Sequence, residues 1–397
     1  MRRFEGHTRR MTTDSLYFDY NATTPFDPLV REAMSAFLDE GLGNPSSLHA
    51  YGQRVRLAIA KARGQVARLV GARPDEIIFT SGGTEADNMA VFGAARRGGA
   101  GCRRIVTTAF EHQAVLNPCR HLAGQGYAVE FLAADAEGRL ELARFAEAAR
   151  EPAVLAAVML ANNDTGAVQP VAEAAALARA CGALFLADAV QAVGKIPVDV
   201  SALGVDLLSF SAHKLHGPTG VGALYVRKGC GLPPLLFGGH QEKGLRPGTE
   251  NAVGIVGFGK ACELAARRLE EDARRVAALR DRFEAALAAR VPGVSVNARG
   301  AARLPNTSNL RFEGVAGDAL VMNLDLLGLA VSGGSACSAS DREPSHVLLA
   351  MGQTREQARE AVRFSIGRET TEEEIGEAVA RVAHAVGEMR RRGHVGA

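Results

Sequence analysis

The segment Ile77-Ile-Phe-Thr-Ser-Gly-Gly-Thr-Glu-Ala86 carries the clearest local signal for the fold class. Four residues with strong strand preference run into a Gly-rich turn, and the turn opens an Ala-containing stretch typical of a helix. The chain repeats this theme, with apolar runs at residues 77–80, 104–108, 154–160, 183–187, 207–210 and 222–226. Because continuous apolar strands joined by helices are typical of parallel pairing, we predict an α/β fold with a mainly parallel sheet.

A different pattern follows this region. Residues 261–290 predict a long amphipathic helix, because apolar side chains recur at intervals of three or four residues from Val276 to Leu287 and Pro292 ends the pattern. Further elements are predicted downstream, namely strands at 308–312 and 361–365 and a helix that begins near Thr371. Short strands combined with long helices are typical of a smaller α+β domain.

The length of the chain predicts two domains, since 397 residues exceed the size at which a single core usually stops growing. We assign residues 26–262 to a large α/β domain and residues 15–25 with 263–397 to a small α+β domain. Residues 1–14 are expected to be a disordered leader, or the true start is Met11. Four arginines in this leader also allow a transit peptide, which the acidic residues within it oppose.

The composition excludes several classes of function. A net charge of +2, with acidic and basic residues interspersed, provides no basic stripe for the phosphates of nucleic acids. No apolar run approaches the roughly 20 residues that span a bilayer, and no secretory signal is visible. The six cysteines are scattered without closely spaced pairs, so they predict neither a disulfide scaffold nor a metal site and favour the cytoplasm.

The residues directly after the first apolar run suit a phosphate. Gly83 and Thr84 open a helix there, and ligands of open α/β sheets bind beyond the carboxyl ends of the strands. Free backbone N–H groups and the Thr84 hydroxyl therefore meet where an anion can bind. Gly-rich turns between strand and helix are common, however, and a purely structural turn explains this stretch equally well.

Polar residues also follow the next runs. His112 comes after the second run, Asn163 after the third, and Asp188 with Gln191 after the fourth. Taken singly, His112 is typical of a hydrogen-bonded structural histidine and Asn163 of a turn. Asp188 is more informative, because a carboxylate at the end of an apolar strand is costly to bury without a cationic partner. A protonated pyridinium is one such partner.

The strongest local signal is Ser209-Phe-Ser-Ala-His-Lys-Leu-His-Gly-Pro218. Lys214 follows an apolar run between Ser211, His213 and a Gly-Pro turn, where a Schiff-base lysine would face the open edge of the sheet. For this segment alone, a solvated surface lysine is the alternative. A phosphate turn, a buried aspartate and a lysine together meet the needs of one cofactor, pyridoxal 5'-phosphate (PLP).

Several motifs occur in a fixed order along residues 17–390. They are Tyr17-Phe-Asp-Tyr-Asn-Ala-Thr-Thr-Pro25, Gly43-Asn-Pro-Ser-Ser-Leu-His49, SGGTEADN (81–88), ANNDTG (161–166), ADAVQAVGK (187–195), SFSAHKLHGPTGVGALY (209–225), GGHQEKGLRPGTEN (238–251), SGGSACSAS (332–340) and RFSIGRETTEEEI (363–375). In these motifs the chain resembles cysteine desulfurases of the NifS/IscS type, class V aminotransferases of PLP fold type I. The resemblance implies a large domain with a seven-stranded sheet and conversion of L-cysteine to L-alanine.

The resemblance also implies a role for each candidate site residue. Lys214 would carry PLP, Asp188 would pair with its pyridine nitrogen, and His112 would stack on its ring and move protons. The other implied cofactor ligands are Gly83, Thr84, Asn163, Gln191, Ser211, His213 and, from the second subunit of a homodimer, Thr249. Arg363 would bind the substrate carboxylate, with Asn163 beside the substrate.

Cys337 is the nucleophile that the resemblance implies. Its small-residue segment, read alone, is typical of a flexible surface loop with an incidental thiol. In the family, the matching cysteine takes the substrate sulfur as a persulfide on a mobile loop and passes it to an acceptor such as an iron–sulfur scaffold protein. Departures from the family pattern are few: Asp164 stands where glutamate is usual, and Gly333 and Ser338 stand where serine and threonine are common.

Three alternatives to a cysteine desulfurase follow from the same residues. The first is selenocysteine lyase or another class V PLP activity, which the cysteine-containing loop opposes because a transaminase needs no mobile thiol. The second is a catalytically silent sulfur-relay protein that binds a scaffold, which the intact Lys214, Asp188, His112 and Cys337 oppose. The third, a nicotinamide-binding protein, is excluded because no Gly-x-Gly-x-x-Gly follows the first predicted strand.

Overall fold

The computed structural model describes residues 15–98, 101–333 and 343–393, so the predicted leader at residues 1–14 lies outside it. Its strands are β1 (Leu16–Tyr17), β2 (Ile77–Thr80), β3 (Arg104–Thr108), β4 (Ala128–Leu132), β5 (Leu155–Ala157), β6 (Leu184–Asp188), β7 (Leu207–Ser211), β8 (Gly222–Val226), β9 (Val294–Val296), β10 (Thr307–Phe312), β11 (Leu329–Ala330) and β12 (Ala361–Ser365). Its α-helices are α1 (Pro28–Glu40), α2 (Ala50–Leu69), α3 (Gly83–Gly98), α4 (Gln113–Gly124), α5 (Leu142–Ala148), α6 (Val171–Ala180), α7 (Val200–Leu203), α8 (Ala252–Arg290), α9 (Gly317–Leu326), α10 (His346–Ala350), α11 (Arg355–Arg359) and α12 (Glu372–Gly393).

A seven-stranded sheet forms the centre of the larger part of the molecule, in the order β2-β8-β7-β6-β5-β3-β4. Only β8 runs antiparallel to its neighbours in this sheet. The predicted α/β fold with a mainly parallel sheet is therefore confirmed. The carboxyl ends of the six strands that run in the same direction lie at one edge of the sheet, and this edge positions the site.

Most strands of this sheet match the predicted runs within one residue, but two differ. The strand predicted at residues 154–160 pairs only over Leu155–Ala157. Beyond it, the N–H groups of Val158 and Leu160 still donate to backbone carbonyls of β6. The edge strand β4 was not predicted. Three of its five side chains are exposed, so it lacks the continuous apolar run that marks the central strands.

A second sheet has three antiparallel strands in the order β12-β10-β9. One apolar cluster joins this sheet to the second half of α8, to α9 and α12, and to Leu16 and Phe18 near the N-terminus. The predicted smaller α+β region is thus present, with the N-terminal segment packed into it. The division of the chain at residues 25 and 262 stays a prediction.

The long helix α8 begins nine residues earlier than predicted, at Ala252 rather than residue 261. Asn251 caps it, since its Oδ1 accepts a hydrogen bond of 3.1 Å from the Gly254 N–H. Several glycines in this first part disfavour a helix in isolation. Packing explains the difference, because a Cβ at Gly259 would lie 2.7 Å from Cα of Ala62 in α2. The glycine allows α2 and α8 to approach closely.

Of the helices described, none combines the length and the apolar composition required to cross a bilayer.

Candidate active site

A cavity of about 310 Å³ opens at the edge where the parallel strands end. The segments after five strands of the seven-stranded sheet supply most of its wall, and the N-terminal segment and β12 close it. The sequence-predicted residues that line it are Gly83, Thr84, His112, Asn163, Asp188, Gln191, Ser211, His213, Lys214 and Arg363. The structure therefore brings together ten predicted site residues that are scattered over 280 positions of the chain (83–363).

Lys214 ends a short 3-10 turn (Ala212–Lys214) that directly follows β7. Its Nζ donates hydrogen bonds to the backbone oxygens of Asn21, at 2.5 Å, and Ala22, at 2.6 Å. These carbonyl oxygens can only accept, so the amine donates to both of them. The N-terminal segment thus fixes where the lysine amine lies in the cavity.

Asp188 is the last residue of β6 and is buried at the floor of the cavity. Its Oδ1 accepts a hydrogen bond of 2.9 Å from the Val190 N–H. Burial raises the pKa of Asp188, while nearby His112 and Lys214 oppose this rise. A carboxyl in such a place is stabilised in its charged form by a cation or a strong donor in the cavity.

His112 caps the N-terminus of α4, and its Nδ1 accepts a hydrogen bond of 3.1 Å from the Ala114 N–H. Because a backbone N–H can only donate, the neutral ring carries its proton on Nε2. Burial lowers the pKa of His112, and the Asp188 carboxylate partly opposes that shift. The imidazole is therefore a neutral proton carrier with a defined tautomer.

Two further carboxyls, that of Asp87 in the cavity wall and that of Glu111, were not predicted. Glu111 Oε1 accepts hydrogen bonds from Thr108 Oγ1 at 2.8 Å and from the Met159 N–H at 2.7 Å, and burial raises the pKa of Glu111 to about 8. Burial and the nearby Asp188 raise the pKa of Asp87 well above its ordinary range. Glu111 therefore keeps its proton near neutral pH, and burial disfavours the charged form of Asp87, so both effects limit the negative charge around Asp188.

The side of the cavity predicted to bind a phosphate contains the first turn of α3. Thr84 is exposed there, and Gly83 packs against Val190, whose Cγ2 would lie 2.6 Å from a Cβ added at Gly83. Burial lowers the pKa of His213 to about 4, with Lys214 adding to the effect. Neutral His213, buried Ser211 and the free N–H groups of the helix start form a polar cradle for an anion.

Gln191 and Asn163 complete the polar wall. Gln191 accepts a hydrogen bond of 2.6 Å from Lys195 Nζ through Oε1 and donates one of 2.9 Å to the Asn21 carbonyl, so the orientation of its amide is fixed. Among the described residues, the buried Oδ1 of Asn163 has no hydrogen-bond partner. An unsatisfied buried acceptor that faces a cavity is explained by a donor on a bound molecule.

Arg363 lies on β12 and brings the second sheet to the cavity. Its Nη2 donates to Asp19 Oδ1 at 2.9 Å and its Nη1 to the Asn163 carbonyl at 3.1 Å. Asp164 Oδ1 lies 3.8 Å from Nη1. The guanidinium therefore faces the cavity from between two acidic side chains, a contact pattern that the sequence did not predict.

Comparisons with known proteins agree with this geometry. The sequence profile of the family described as Aminotransferase class-V matches residues 16–377. The chain belongs to this family. It is 46% identical to cysteine desulfurase IscS of Dictyoglomus turgidum over 360 residues, covering 91% of each chain. It is also 46% identical to cysteine desulfurase NifS of Azotobacter vinelandii over 376 residues, covering 94% of this chain and 93% of that one.

A solved structure named NIFS-like protein shares the fold of this class V chain. The superposition has a TM-score of 0.88 at 37% identity and covers 94% of this chain and 99% of the other. The predicted resemblance to NifS/IscS-type proteins and to PLP enzymes of fold type I is therefore confirmed. Equal identity to an IscS and a NifS protein does not separate the two branches.

Of the predicted site residues that the structure describes, Thr249 is not part of the cavity wall. Thr249 is exposed, two residues before the N-cap of α8. Cys337 and most of its predicted loop lie outside the described residues. The described residues next to that loop lie near Arg363: Ser332 exchanges two backbone hydrogen bonds with it, and Ser345 Oγ donates to Asp164 at 2.5 Å.

Asn21 is the main site residue that the sequence did not reveal. Its backbone oxygen accepts from Lys214 and Gln191, and its side-chain Oδ1 accepts from Lys195 at 3.3 Å. Its Nδ2 donates to the Asn163 carbonyl at 3.1 Å. The only signal for Asn21 was its place in the motif at residues 17–25, because its partners are more than 140 positions away.

Proposed function

We propose that this chain is a PLP-dependent cysteine desulfurase that converts L-cysteine to L-alanine and holds the sulfur as a persulfide on Cys337. The observation that supports it most is the convergence of Lys214, Asp188, His112 and Arg363 on one cavity. The names of the curated relatives point to the same reaction. No described feature favours the selenocysteine lyase or silent sulfur-relay alternatives.

The cavity residues fit PLP. Burial disfavours the charged form of Asp188, and a pyridinium beside it would stabilise that charged form. Asn163 Oδ1 is an acceptor that lacks a donor among the described residues. The residues that would hold the cofactor are Gly83, Thr84, His112, Asn163, Asp188, Gln191, Ser211, His213 and Lys214. When bound, PLP supplies an electron sink for the carbon atoms of the substrate.

The chain itself would supply orientation and proton transfer. The Arg363 guanidinium binds the substrate carboxylate, and the Lys214 amine, when it is not attached to the cofactor, takes the proton from the substrate Cα. His112, with its proton on Nε2, exchanges protons above the same site. The three groups come from β12, the turn after β7 and the cap of α4. The reaction therefore requires that the two sheets keep their relative position.

Sulfur transfer would use the Cys337 thiolate. It attacks the substrate sulfur, an S–S bond forms, the Cβ–S bond breaks, and Cβ receives the electron pair and a proton. Three other thiols are poor candidates, since burial raises the pKa of Cys119 to about 12 and also raises the pKa of Cys230 and Cys262. Those thiols stay protonated, and thiolates are the nucleophiles.

The test of this function is a single-turnover experiment with the purified protein. We expect it to be yellow, to lose that colour on borohydride reduction, and to form one L-alanine and one persulfide per subunit from L-cysteine. The persulfide should map to Cys337 by mass spectrometry. Alanine formation from selenocysteine but not from cysteine would favour the lyase, and no alanine from either would favour the silent relay protein.

We further propose a homodimer in which Thr249 of one subunit binds the cofactor phosphate of the other. Thr249 is exposed in the single chain and away from its own cavity. Large apolar side chains are exposed in α1, α2 and nearby segments, among them Leu38, Leu42, Leu48, Leu57 and Phe237. Such side chains concentrate at subunit interfaces.

Replacement of Thr249 by valine is expected to weaken PLP binding about tenfold, since a hydroxyl donor to a charged phosphate is lost. Equilibrium dialysis of PLP together with sedimentation measures this effect. Thr249→Ser keeps the hydroxyl and serves as the matched control. A monomer that binds PLP undiminished in dilute solution would contradict both the dimer and the role of Thr249.

We propose that the sulfur acceptor is a second protein, such as an iron–sulfur scaffold, and that the enzyme acts in the cytoplasm. The scattered cysteines support a reducing compartment. The five described cysteines form no disulfide with one another. The protein acceptor is proposed from the resemblance to cysteine desulfurases, in which the matching cysteine passes its sulfur to an acceptor protein.

A further inference from the structure

We propose that Asp19 is an internal competitor of the substrate carboxylate, because it occupies the Arg363 guanidinium and must give way when the substrate binds. This inference rests on the assignment of Arg363 to the substrate in the proposed function. Asp19 is not part of the cavity wall and was not a predicted site residue. Asp19 would act as a specificity-determining residue, because only a ligand whose carboxylate binds Arg363 strongly enough can displace it.

The contacts of Arg363 define the competition. Its side chain is 3% exposed, and its Nη2 forms an ion pair of 2.9 Å with Asp19 Oδ1. Its Nη1 lies 3.8 Å from Asp164 Oδ1, and that second carboxylate is only 2% exposed. One buried guanidinium therefore already faces two carboxylates, and a third carboxylate from the substrate would be repelled by both.

Asp19 is the acid that can leave. Its side chain is 18% exposed, so its carboxylate can rotate toward solvent at little cost in solvation. Asp164 cannot do so, because it is buried and accepts a hydrogen bond of 2.5 Å from Ser345 Oγ. When Asp19 is displaced, its ion pair with Arg363 is replaced by an ion pair between Arg363 and the substrate carboxylate. The positive charge of the guanidinium therefore remains paired.

The backbone around Asp19 is held against β12 by bonds that do not involve the Asp19 carboxylate. The Ser365 N–H donates to the Phe18 carbonyl at 2.8 Å, and the Tyr20 N–H donates to the Ser365 carbonyl at 3.1 Å. Tyr17 Oη donates to the Asp19 carbonyl at 3.0 Å. These bonds use main-chain atoms of Asp19 and its neighbours, so loss of the Asp19 carboxylate leaves them in place.

Two opposite effects of Asp19→Asn follow. Without a bound carboxylate, the variant should melt at a lower temperature, because a buried guanidinium loses an ionised partner. The variant should also bind a ligand carboxylate more tightly, because no acidic side chain has to be displaced from Arg363. The rise in melting temperature caused by the ligand should therefore be larger in the variant than in the original protein.

The experiment uses PLP-loaded protein and calorimetric titration with L-alanine, the proposed product, and with L-alaninamide, which lacks the carboxylate. We expect Asp19→Asn to bind L-alanine about tenfold more tightly, equivalent to about 1.4 kcal/mol, with unchanged affinity for L-alaninamide. Asp325→Asn removes an exposed acid of α9 and controls for the change in net charge. It should leave both affinities and the melting temperature unchanged.

Unchanged or weaker binding of L-alanine by Asp19→Asn would overturn the proposal and make Asp19 an orienting residue for Arg363. A different result would count against the proposed function itself. If the original protein binds L-alanine no better than L-alaninamide, Arg363 does not recognise a carboxylate, whatever the variant does. The two failures are therefore distinguishable in one set of titrations.

Discussion

Replacement of Lys214 by alanine is expected to abolish alanine formation from L-cysteine, with a loss of about 10⁴-fold or more in turnover. Lys214 is the residue that we expect both to hold the cofactor and to move the Cα proton. Its Nζ lies between the Asn21 and Ala22 carbonyls at the open edge of the sheet. The variant should also lose the yellow colour that borohydride bleaches, which absorbance spectroscopy measures directly.

The matched control is Lys195→Met, because Lys195 is another lysine that contacts the site residues Gln191 and Asn21. This variant should keep a borohydride-reducible cofactor. After reduction of the unaltered protein, peptide mapping should place the cofactor on Lys214. A label on Lys195, or a reducible cofactor in Lys214→Ala, would show that the wrong lysine was assigned.

Replacement of Cys337 by serine is expected to lower turnover about 10³-fold while leaving PLP and L-cysteine bound. Serine at neutral pH offers a poorly ionised hydroxyl where sulfur transfer needs a soft thiolate. Binding should survive because Lys214, Asp188 and Arg363 are untouched. Rapid-quench measurement of alanine, together with the change in cofactor absorbance on addition of cysteine, separates the two effects.

Cys181→Ser is the control for loss of a thiol, since Cys181 is partly buried at the C-terminus of α6, away from the cavity wall. It should turn over at the normal rate and carry the normal persulfide label. If Cys337→Ser made alanine at nearly the normal rate, and mass spectrometry found the persulfide on another cysteine, the nucleophile would have to be reassigned.

The positions of several candidate site residues could be predicted because of one property of parallel sheets. Residues that follow the apolar runs, such as Asp188 after β6 and Lys214 after β7, meet at one edge whatever their separation in the chain. The apolar runs themselves are visible because central strands are buried on both faces. The ends of these strands, and the candidate residues that follow them, are therefore encoded locally, whereas the roles of those residues and the assignment of Arg363 were predicted only from the resemblance to the family.

Other parts of the site have no local signal. Glu111 and Asp87 have no distinctive sequence context, and only their burial in the folded chain distinguishes them from other acidic residues. Asn21 and Asp19 act through partners on β12 and in the cavity that are far away in sequence. Likewise, the Gly-rich start of α8 is helical because it packs on α2, which no property of residues 252–260 alone predicts.

The long sequence separation of the Asn21 contacts also orders events during protein synthesis. The Asn21 N–H bonds Ser365 Oγ, a partner 344 positions later, whereas the last strand of the seven-stranded sheet ends at Val226. The ribosome therefore releases a complete large sheet well before the residues that close the site, a delay on the order of ten seconds. A nascent chain that has reached Val226 already contains Lys214 and its acceptors Asn21 and Ala22, but it lacks Ser365, which bonds the Asn21 N–H, and Arg363 of the cavity wall. The finished pocket therefore belongs to the last stage of synthesis.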